Sequence, residues 1–410
     1  MTRAGAVAAC TLALLATSIA DTSPLPAQTG RGSGPVWSGY VRSLSAIQAL
    51  GYTPPGADRR SAFNAEVVRL RWQLAFGEHV GVDVHDRLQL QMSTTPEAFG
   101  SGVTGFGVSA VPGRTVDLET TFVDEPGFRV WHDLDRLALR VRADAVDLTL
   151  GRQAITWGIS TLFPIADLWA QFSPFELDTE EKRGVDAVRA LLYPRPGLEL
   201  DAVVADRGSV DDLSGGMRAT VELPTADVYV AAGKFWRELI ALAGVSWVLD
   251  TWKIRAEVAT PYALDRGGWR DLRATVGADR LGSTWIASVE LHRNGLGTSE
   301  TARYVEHLTA PEFARGETYL LGRTYLGGTV SWQSGDRVTL AAAGRANLDD
   351  ASVSITPFAS YDLGQSARLS LGALLTRGRS PRFADSAPPL LRSEFGTYGQ
   401  LVYTAVALYY

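Results

Sequence analysis

The feature that most constrains this chain is a two-residue alternation of apolar and polar side chains in which the polar positions carry full charges. It is clearest over residues 135–143, where the apolar set is Leu137, Leu139 and Val141 and the charged set is Arg136, Arg140 and Arg142. A tight turn at Ala143-Asp144 leads into a second run of this kind over residues 145–157. Period-two alternation places the two sets on opposite faces of a strand. A soluble sheet buries its apolar face in a core, whereas a membrane barrel turns that face to lipid and keeps the charges in a wet lumen.

The alternation recurs along the chain and predicts about 18 strands of membrane-spanning length, with 16 as the alternative count. The predicted strands lie near residues 36–46, 63–76, 79–92, 131–142, 145–157, 184–193, 197–206, 215–223, 226–236, 238–249, 251–260, 269–279, 281–293, 317–333, 336–346, 351–361, 366–377 and 395–410. We therefore predict an all-β fold, a transmembrane antiparallel β-barrel over residues 36–410 with a long inserted loop near residues 158–183.

The lengths of the connections support a barrel in the outer membrane. Every second connection is tight: Gly77-Glu78, Ala143-Asp144, Pro194-Arg195-Pro196, Pro224-Thr225, Asp250-Thr251, Arg280-Leu281, Gly335-Asp336 and Gly364-Gln365. The connections between them are mostly long, with short exceptions near Arg237 and Asp349. Outer-membrane barrels have short periplasmic turns and longer extracellular loops, and this parity requires an even strand count.

The N-terminus has the pattern of a signal peptide over residues 1–27. Arg3 supplies a positive charge ahead of the alanine-rich apolar run 4–20, and cleavage is predicted after Ala20 or Ala27. A retained anchor helix is the alternative. Residues 28–35 form a Gly/Ser/Pro-rich lead-in, and the single cysteine, Cys10, lies in the leader. The mature chain is thus expected to contain no disulfide.

Large aromatic residues lie near the tight turns and the C-terminus, as an interfacial aromatic belt predicts. They are Phe76, Tyr193, Trp247, Trp252, Trp285, Trp332, Tyr361 and Tyr410. A general preference of aromatics for strand ends is the alternative explanation. The alternating last strand with its aromatic C-terminus resembles the assembly signal of outer-membrane barrels, which implies the barrel-assembly machinery as a partner.

Three positions break the pattern. Asp86 and Arg152 fall on the apolar parity of their strands, where a charge facing lipid costs about 2–4 kcal/mol at mid-bilayer. We expect a β-bulge at Gly151 that turns Arg152 inward, or a position outside the lipid band. Pro357 cannot donate to a ladder and is expected to mark another bulge. The sequence offers no explanation for Asp86.

The polar-parity residues together define a predicted lumen in which bases outnumber acids. The bases are Arg69, Arg71, Arg87, Arg136, Arg140, Arg142, Arg218, Lys253, Arg255, Arg273, Arg323, Arg345 and Arg368; the acids are Asp83, Asp147, Glu199, Asp201, Glu222, Glu257 and Glu290. A positively lined passage concentrates anions. The alternative is that these arginines pair with the lumenal acids and brace the wall.

The connection 159–183 is rich in large apolar side chains, which a solvated outer loop should not expose. We predict that it folds into the barrel mouth as a constriction; the alternative is an extracellular clamp on neighbouring loops.

This region also resembles a known family. The matching residues are Gly151-Arg152-Gln153, Trp157-Gly158, Phe163-Pro164, Asp167, Phe172-Ser173-Pro174 and Glu181-Lys182-Arg183-Gly184-Val185-Asp186-Ala187-Val188-Arg189. They are similar to the pattern of alginate-export-like and related porin-like outer-membrane barrels. The resemblance implies a large monomeric barrel that moves an oligosaccharide, an organic acid or another small solute. We assign Arg152, Gln153, Asp167 and Arg189 to the constriction, and Arg136, Arg140, Arg142, Arg69, Arg71 and Arg255 to charge selectivity.

Signals for other functions are weak. The five histidines show no metal-ligand spacing, and no serine lies in a nucleophile-elbow motif. The net charge of −6 without a basic block argues against nucleic acid as a partner. We therefore predict a non-enzymatic outer-membrane channel without metal or cofactor. Its predicted partners are membrane lipid and small solutes, and the predicted solutes are anionic or saccharide. The alternatives are a filled structural or adhesive barrel, or a lipid hydrolase with His292 or His85 beside a serine on the outer wall.

Overall fold

The chain is described here by a computed structural model that covers residues 35–49, 59–94, 113–177, 179–384 and 387–410. The strands are β1 Val36–Ala49, β2 Arg60–Phe76, β3 Val80–Ser93, β4 Glu119–Glu125, β5 Phe128–Ala143, β6 Val146–Gln153, β7 Val185–Arg195, β8 Leu198–Ala205, β9 Ser214–Glu222, β10 Ala226–Phe235, β11 Glu238–Leu249, β12 Trp252–Ala263, β13 Gly268–Trp269, β14 Arg273–Leu281, β15 Trp285–Arg293, β16 Thr324–Ser334, β17 Val338–Asn347, β18 Ser352–Asp362, β19 Ala367–Arg377, β20 Arg382–Ala384, β21 Ala387–Leu390 and β22 Gln400–Tyr409. Two short helices, α1 Tyr304–Leu308 and α2 Pro311–Ala314, follow a 3-10 turn at Thr301–Arg303.

The main sheet closes on itself. It contains 20 strands, of which β4 and β13 only extend a neighbour's edge, so 20 less 2 leaves 18 in the ring. Each ring strand pairs antiparallel with the next, and the last strand, β22, pairs with both β19 and β1. The predicted closed antiparallel barrel of 18 strands is confirmed, and the alternative count of 16 is wrong. None of the helices in the described ranges is long and apolar enough to cross a membrane.

Apolar side chains face outward and charged ones inward, as the alternation predicts. On β5, Leu137 is 41% exposed whereas Arg136 beside it is 7% exposed. The lumenal residues Arg69 and Asp201 are fully buried. The charged rows therefore lie inside the cylinder and the aliphatic rows cover its outer wall.

The predicted strand boundaries differ most from the structure at β16, which begins at Thr324 rather than near residue 317, and at β22, which begins at Gln400 rather than near residue 395. The strand β6 also ends early, at Gln153 rather than near residue 157. The alternation continues to Ile155 and Trp157 because these side chains are buried in the interior after the chain has left the wall. The sequence also did not predict β4, which pairs with the first half of β5 above the end of β6.

The two predicted bulges are absent. Pairing keeps its register through Gly151. The φ of +109° at Gly151 and the close approach of the Leu137 carbonyl leave no room for a side chain there. At Pro357 the ladder to β19 is interrupted for two residues without a register shift. The shift occurs instead in β5, where Asp135 has no partner because His85 pairs with Arg136 and Asp86 with Leu134.

Both charges on the apolar parity have partners. Asp86 Oδ1 lies 2.6 Å from Nε2 of His132, and each side chain is about 30% exposed. Arg152 is 1% exposed, and its Nε and Nη2 donate to the Asp186 carboxylate at 2.7 and 2.9 Å. The Val116 carbonyl accepts another bond from Arg152, so the irregular segment before β4 covers this ion pair.

The eight aromatics predicted for an interfacial belt all lie on the outer surface, 36–60% exposed. Trp285 and Trp332 are direct cross-strand neighbours on β15 and β16. This arrangement places a ring of large aromatic groups around the end of the barrel where the short turns lie.

Candidate functional site

The candidate site is formed by residues 154–184, here called the inserted segment, which leave the wall after β6 and return to it at β7. In chain order the segment contacts the inner wall through Asp201 on β8, Arg218 on β9, Glu257 on β12, Glu290 on β15, Tyr325 on β16, Phe358 on β18, Tyr409 on β22, Arg42 on β1, Arg71 on β2 and Arg136 on β5. The segment therefore makes one circuit of the inside of the barrel and narrows it from all sides.

Two lumenal carboxylates hold the first part of this circuit. Glu257 accepts the backbone N–H groups of Ile159 and Ser160 at 3.0 and 3.2 Å. Glu290 accepts those of residues 161, 162 and 163 at 2.6, 2.9 and 3.1 Å. Five successive N–H groups that would otherwise be buried without partners are thus satisfied by two charges.

Replacing Glu290 by glutamine is expected to loosen the segment. An amide offers one acceptor and turns a donor towards N–H groups, and bonds to a charged acceptor contribute about 1.5–3 kcal/mol each. In single-channel recordings the variant should show strongly increased open-state noise. Glu222→Gln, at the exposed end of β9, is the control and should not change the noise. An equally quiet Glu290→Gln channel would mean that the carboxylate does not hold the segment.

Two cavities lie along the inner face of the inserted segment. The loop-side cavity, of about 430 Å³, is lined by the segment, by residues 316–320 and by Arg345. The turn-side cavity, of about 340 Å³, is lined by Arg42, Arg368 and Tyr409 among others. They share four lining residues, here called the junction: Pro174, Glu176, Thr179 and Thr356. The two cavities therefore adjoin at the junction, between the segment and β18, and together with the junction they are here called the passage.

The structure separates the predicted site residues into three groups. Six of them line a further cavity of about 300 Å³ beside β5–β7: Arg136, Arg140, Arg142, Arg152, Gln153 and Arg189. Asp167 lines the loop-side cavity. Arg69, Arg71 and Arg255 line none of the three cavities described here; Arg255 instead holds the segment by donating to the Ile159 carbonyl at 2.8 Å.

Most lumenal arginines are neutralised by carboxylates. The pairs are Arg69 with Asp135, Arg71 with Glu181, Arg87 with Asp133, Arg136 with Asp135, Arg140 with Asp83, Arg189 with Asp201, Arg218 with Glu199, Arg255 with Asp279, Arg273 with Glu238, Arg323 with Asp271 and Arg368 with Asp362. These contacts support the alternative that the arginines brace the wall.

Arg345 differs from this group. No ion pair joins it to a carboxylate in the described part of the chain, and its Nε is buried without a hydrogen-bond partner there. It lies on β17 with its side chain at the loop-side cavity, next to Thr356 of the junction in the lining. Glu290, two strands away at the same level of the sheet, acts on Arg345 electrostatically but forms no ion pair with it, so the guanidinium faces the passage without a direct carboxylate partner among the described residues.

The fold can be compared with solved structures, although no family model and no curated protein sequence matches the chain. It is similar to OccAB2 of Acinetobacter baumannii, with a TM-score of 0.60, 8% identity and coverage of 93% of this chain and 99% of that one. It is also similar to a BenF-like porin of Pseudomonas fluorescens Pf-5, with a TM-score of 0.57, 10% identity and coverage of 93% of this chain and 99% of that one. A third similar structure is OccK9 (OpdG) of Pseudomonas aeruginosa, with a TM-score of 0.56, 11% identity and coverage of 92% of this chain and 98% of that one. The chain has the fold of an outer-membrane porin. At such low identity the likeness concerns the fold.

Within this porin fold, one buried ion pair lies in the inserted segment itself. Asp167 and Lys182 are hydrogen bonded, and Lys182 also donates to Thr156 at 3.0 Å. Burial raises the pKa of Asp167 to about 6, against the opposing effect of Lys182. The pair ties the outgoing half of the segment to its returning half.

Sequence reasoning missed the junction. Glu176 and Thr179 lie in the predicted constriction loop but were not among the residues assigned to the site, and Thr356 is one small polar residue among several on β18. The signal available in the sequence was Pro357, next to Thr356, where the structure shows the ladder to β19 interrupted.

Proposed function

We propose that the protein is an outer-membrane porin, a passive and solute-selective channel for small anionic or saccharide solutes. The observation that carries this proposal is the pair of cavities that adjoin at the junction inside a closed barrel. The printed names of its structural neighbours include a BenF-like porin, which agrees with a channel. The resemblance of residues 151–189 to alginate-export-like barrels supports an oligosaccharide or organic acid as the solute.

We further propose how the chain reaches the membrane. Residues 1–27 serve as the signal peptide, cleaved after Ala20 or Ala27, and lie outside the described residues together with most of the lead-in 28–35. The alternating strand β22 is the element that the barrel-assembly machinery would bind. The aromatic belt sits at the membrane interface on the short-turn side.

For ion preference we assign the main role to Arg345. Paired arginines contribute little net field, whereas an unpaired guanidinium beside a narrow passage attracts anions. Arg142 and Lys253, predicted lumenal bases, also have no ion pair among the described residues and add positive charge towards the short-turn end. Arg152, Gln153, Asp167 and Arg189 then shape the interior around the passage.

Reversal potentials in planar bilayers under a salt gradient test this assignment. The wild-type channel should prefer anions, and Arg345→Gln should lower the anion-to-cation permeability ratio several-fold. The double variant Asp83→Asn/Arg140→Gln removes a neutral pair and should leave the ratio unchanged. Cation preference in the wild type, or an unchanged ratio in Arg345→Gln, would overturn the anion assignment.

A filled, non-conducting barrel is the second candidate, because the inserted segment and the ion pairs occupy much of the lumen. Absence of any conductance from correctly folded protein would favour it. A lipid hydrolase is not supported by the two histidines considered. His292 is 6% exposed, bonds Thr275 at 2.9 Å and stacks on Phe163 in the interior, and His85 lines a lumenal cavity.

A further inference from the structure

A buried pair of carboxyl groups lies outside the passage, where two long loops meet above the barrel. Glu394 is 0% exposed and Asp350 is 6% exposed. Asp350 follows β17, and Glu394 lies between β21 and β22. Loop residues 294–323 and 391–399, here called the cap, pack around this pair.

The groups that face the two carboxyls are all neutral. Glu394 accepts hydrogen bonds from the Leu321 N–H at 3.1 Å, from Asn347 Nδ2 at 2.8 Å and from the Tyr325 hydroxyl. Asp350 accepts from the Tyr304 hydroxyl at 3.0 Å and from the backbone N–H of Glu394 at 2.7 Å.

The two acids are coupled to each other. Asn347 Nδ2 also lies 3.2 Å from Asp350 Oδ2, and Ser352 N–H donates to Asp350 Oδ1 at 2.8 Å. No arginine, lysine or histidine forms an ion pair with either acid in the described ranges. Two like charges in one dry site, without a cation, favour the retention of a proton.

This cluster is connected to the passage by aromatic packing. Phe395, the next residue after Glu394, and Tyr398 lie 6.1 and 4.4 Å, centroid to centroid, from the ring of Phe175. Phe175 lines the turn-side cavity between the junction residues Pro174 and Glu176. A movement of residues 394–398 therefore changes the packing of the part of the segment that forms the junction.

We propose that Glu394 and Asp350 form a proton-operated latch, which holds the cap against the inserted segment while the pair keeps a proton and releases it when both carboxyls ionise. The proposal rests on the channel function proposed above and adds regulation to it. The titratable groups facing Glu394 are Tyr325 from β16, Tyr304 from α1, Asp350 from the β17–β18 turn and Tyr398 from its own loop.

The direction of the pH effect follows from burial. Burial raises the pKa of Glu394 to about 7, above its ordinary value of 4.5. A folded-state pKa that is raised favours the packed cap fully below the ordinary value and loses that effect as the pH rises through about 7. The cap should be closed in acid and mobile in alkali.

The test uses the full mature protein in planar bilayers from about pH 5 to about pH 9, the range that brackets this titration. Wild-type channels should show a several-fold fall in closed fraction as the pH rises. Glu394→Gln, which imitates the protonated acid, should keep a high closed fraction at every pH. Asp350→Asn removes the repulsion that helps to raise the pKa of Glu394, so the pH response should be weaker and its midpoint should move to lower pH.

One control separates other sources of pH dependence. Glu300→Gln changes an exposed acid of the same loops and should respond as the wild type does. A normal transition in Glu394→Gln, or its loss in Glu300→Gln, would overturn the latch.

Hydrogen exchange of peptides from residues 294–323 and 391–399 gives a readout that does not need conductance. At the same alkaline pH, Glu394→Gln should protect these peptides relative to the wild type. Protection without any conductance would reject the channel and retain the latch, whereas conductance with equal exchange would reject the latch alone.

Discussion

Replacing residues 160–180 by a short glycine-serine linker is expected to raise the single-channel conductance several-fold and to remove most discrimination among solutes. An 18-strand cylinder is wide enough for an aqueous channel, and the inserted segment is what narrows it. The wall itself does not depend on these residues for its ladders, since β6 and β7 pair directly from Val146 to Gln153. The barrel should therefore still close.

Conductance in symmetric salt and permeation of sugars of increasing size would measure this effect. The matched control is the same linker in place of residues 264–267, an exposed loop tip after β12 that lines none of the three cavities. It should conduct as the wild type does. An unchanged current in the 160–180 variant would show that the resistance lies elsewhere, and the junction would lose its role.

The largest loss of stability is expected from Asp135→Ala. Asp135 is 1% exposed at the register shift of β5, where it pairs with Arg69 and Arg136 and accepts the Gly184 N–H at 3.2 Å. Its removal leaves two buried guanidinium groups around a missing charge, and breaking such an arrangement costs about 3–5 kcal/mol.

Urea unfolding in detergent micelles, followed by tryptophan fluorescence, would measure the free energy. Asp362→Ala, which breaks an ion pair with the half-exposed Arg368 near a tight turn, is the comparison and should cost at most about 1 kcal/mol. Similar unfolding midpoints for the two variants would mean that the interior around Asp135 is well hydrated and that burial does not govern the pair.

The fold could be read from the sequence because strand position and strand face depend on local patterns. Period-two runs and tight turns such as Gly77-Glu78 predicted all 18 ring strands, and for most of them the predicted ends lie within a few residues of the observed ends. The errors occur where tertiary contacts replace local ones. Beyond Gln153 the alternation continues into residues buried by the inserted segment, and β4 forms only because the early end of β6 leaves an edge of β5 unpaired.

The candidate site could be predicted from the sequence only in part. Parity places an arginine inside the barrel but does not report whether a carboxylate lies beside it across the lumen or on the next strand. Arg140 and Arg345 look equivalent in the sequence, yet Asp83 neutralises the first and no described acid pairs with the second. Distinguishing them requires the register of neighbouring strands and the path of the inserted segment.

The circuit of the inserted segment has a consequence for biogenesis. Glu180 touches both strands at the point of closure, accepting a hydrogen bond from Tyr409 of β22 and lying 3.8 Å from Arg42 of β1. A residue from the middle of the chain thus connects the first and last strands of the barrel. Because Tyr409 lies in the final strand, Glu180 can make both contacts only when β22 has paired with β1 and the barrel is closed.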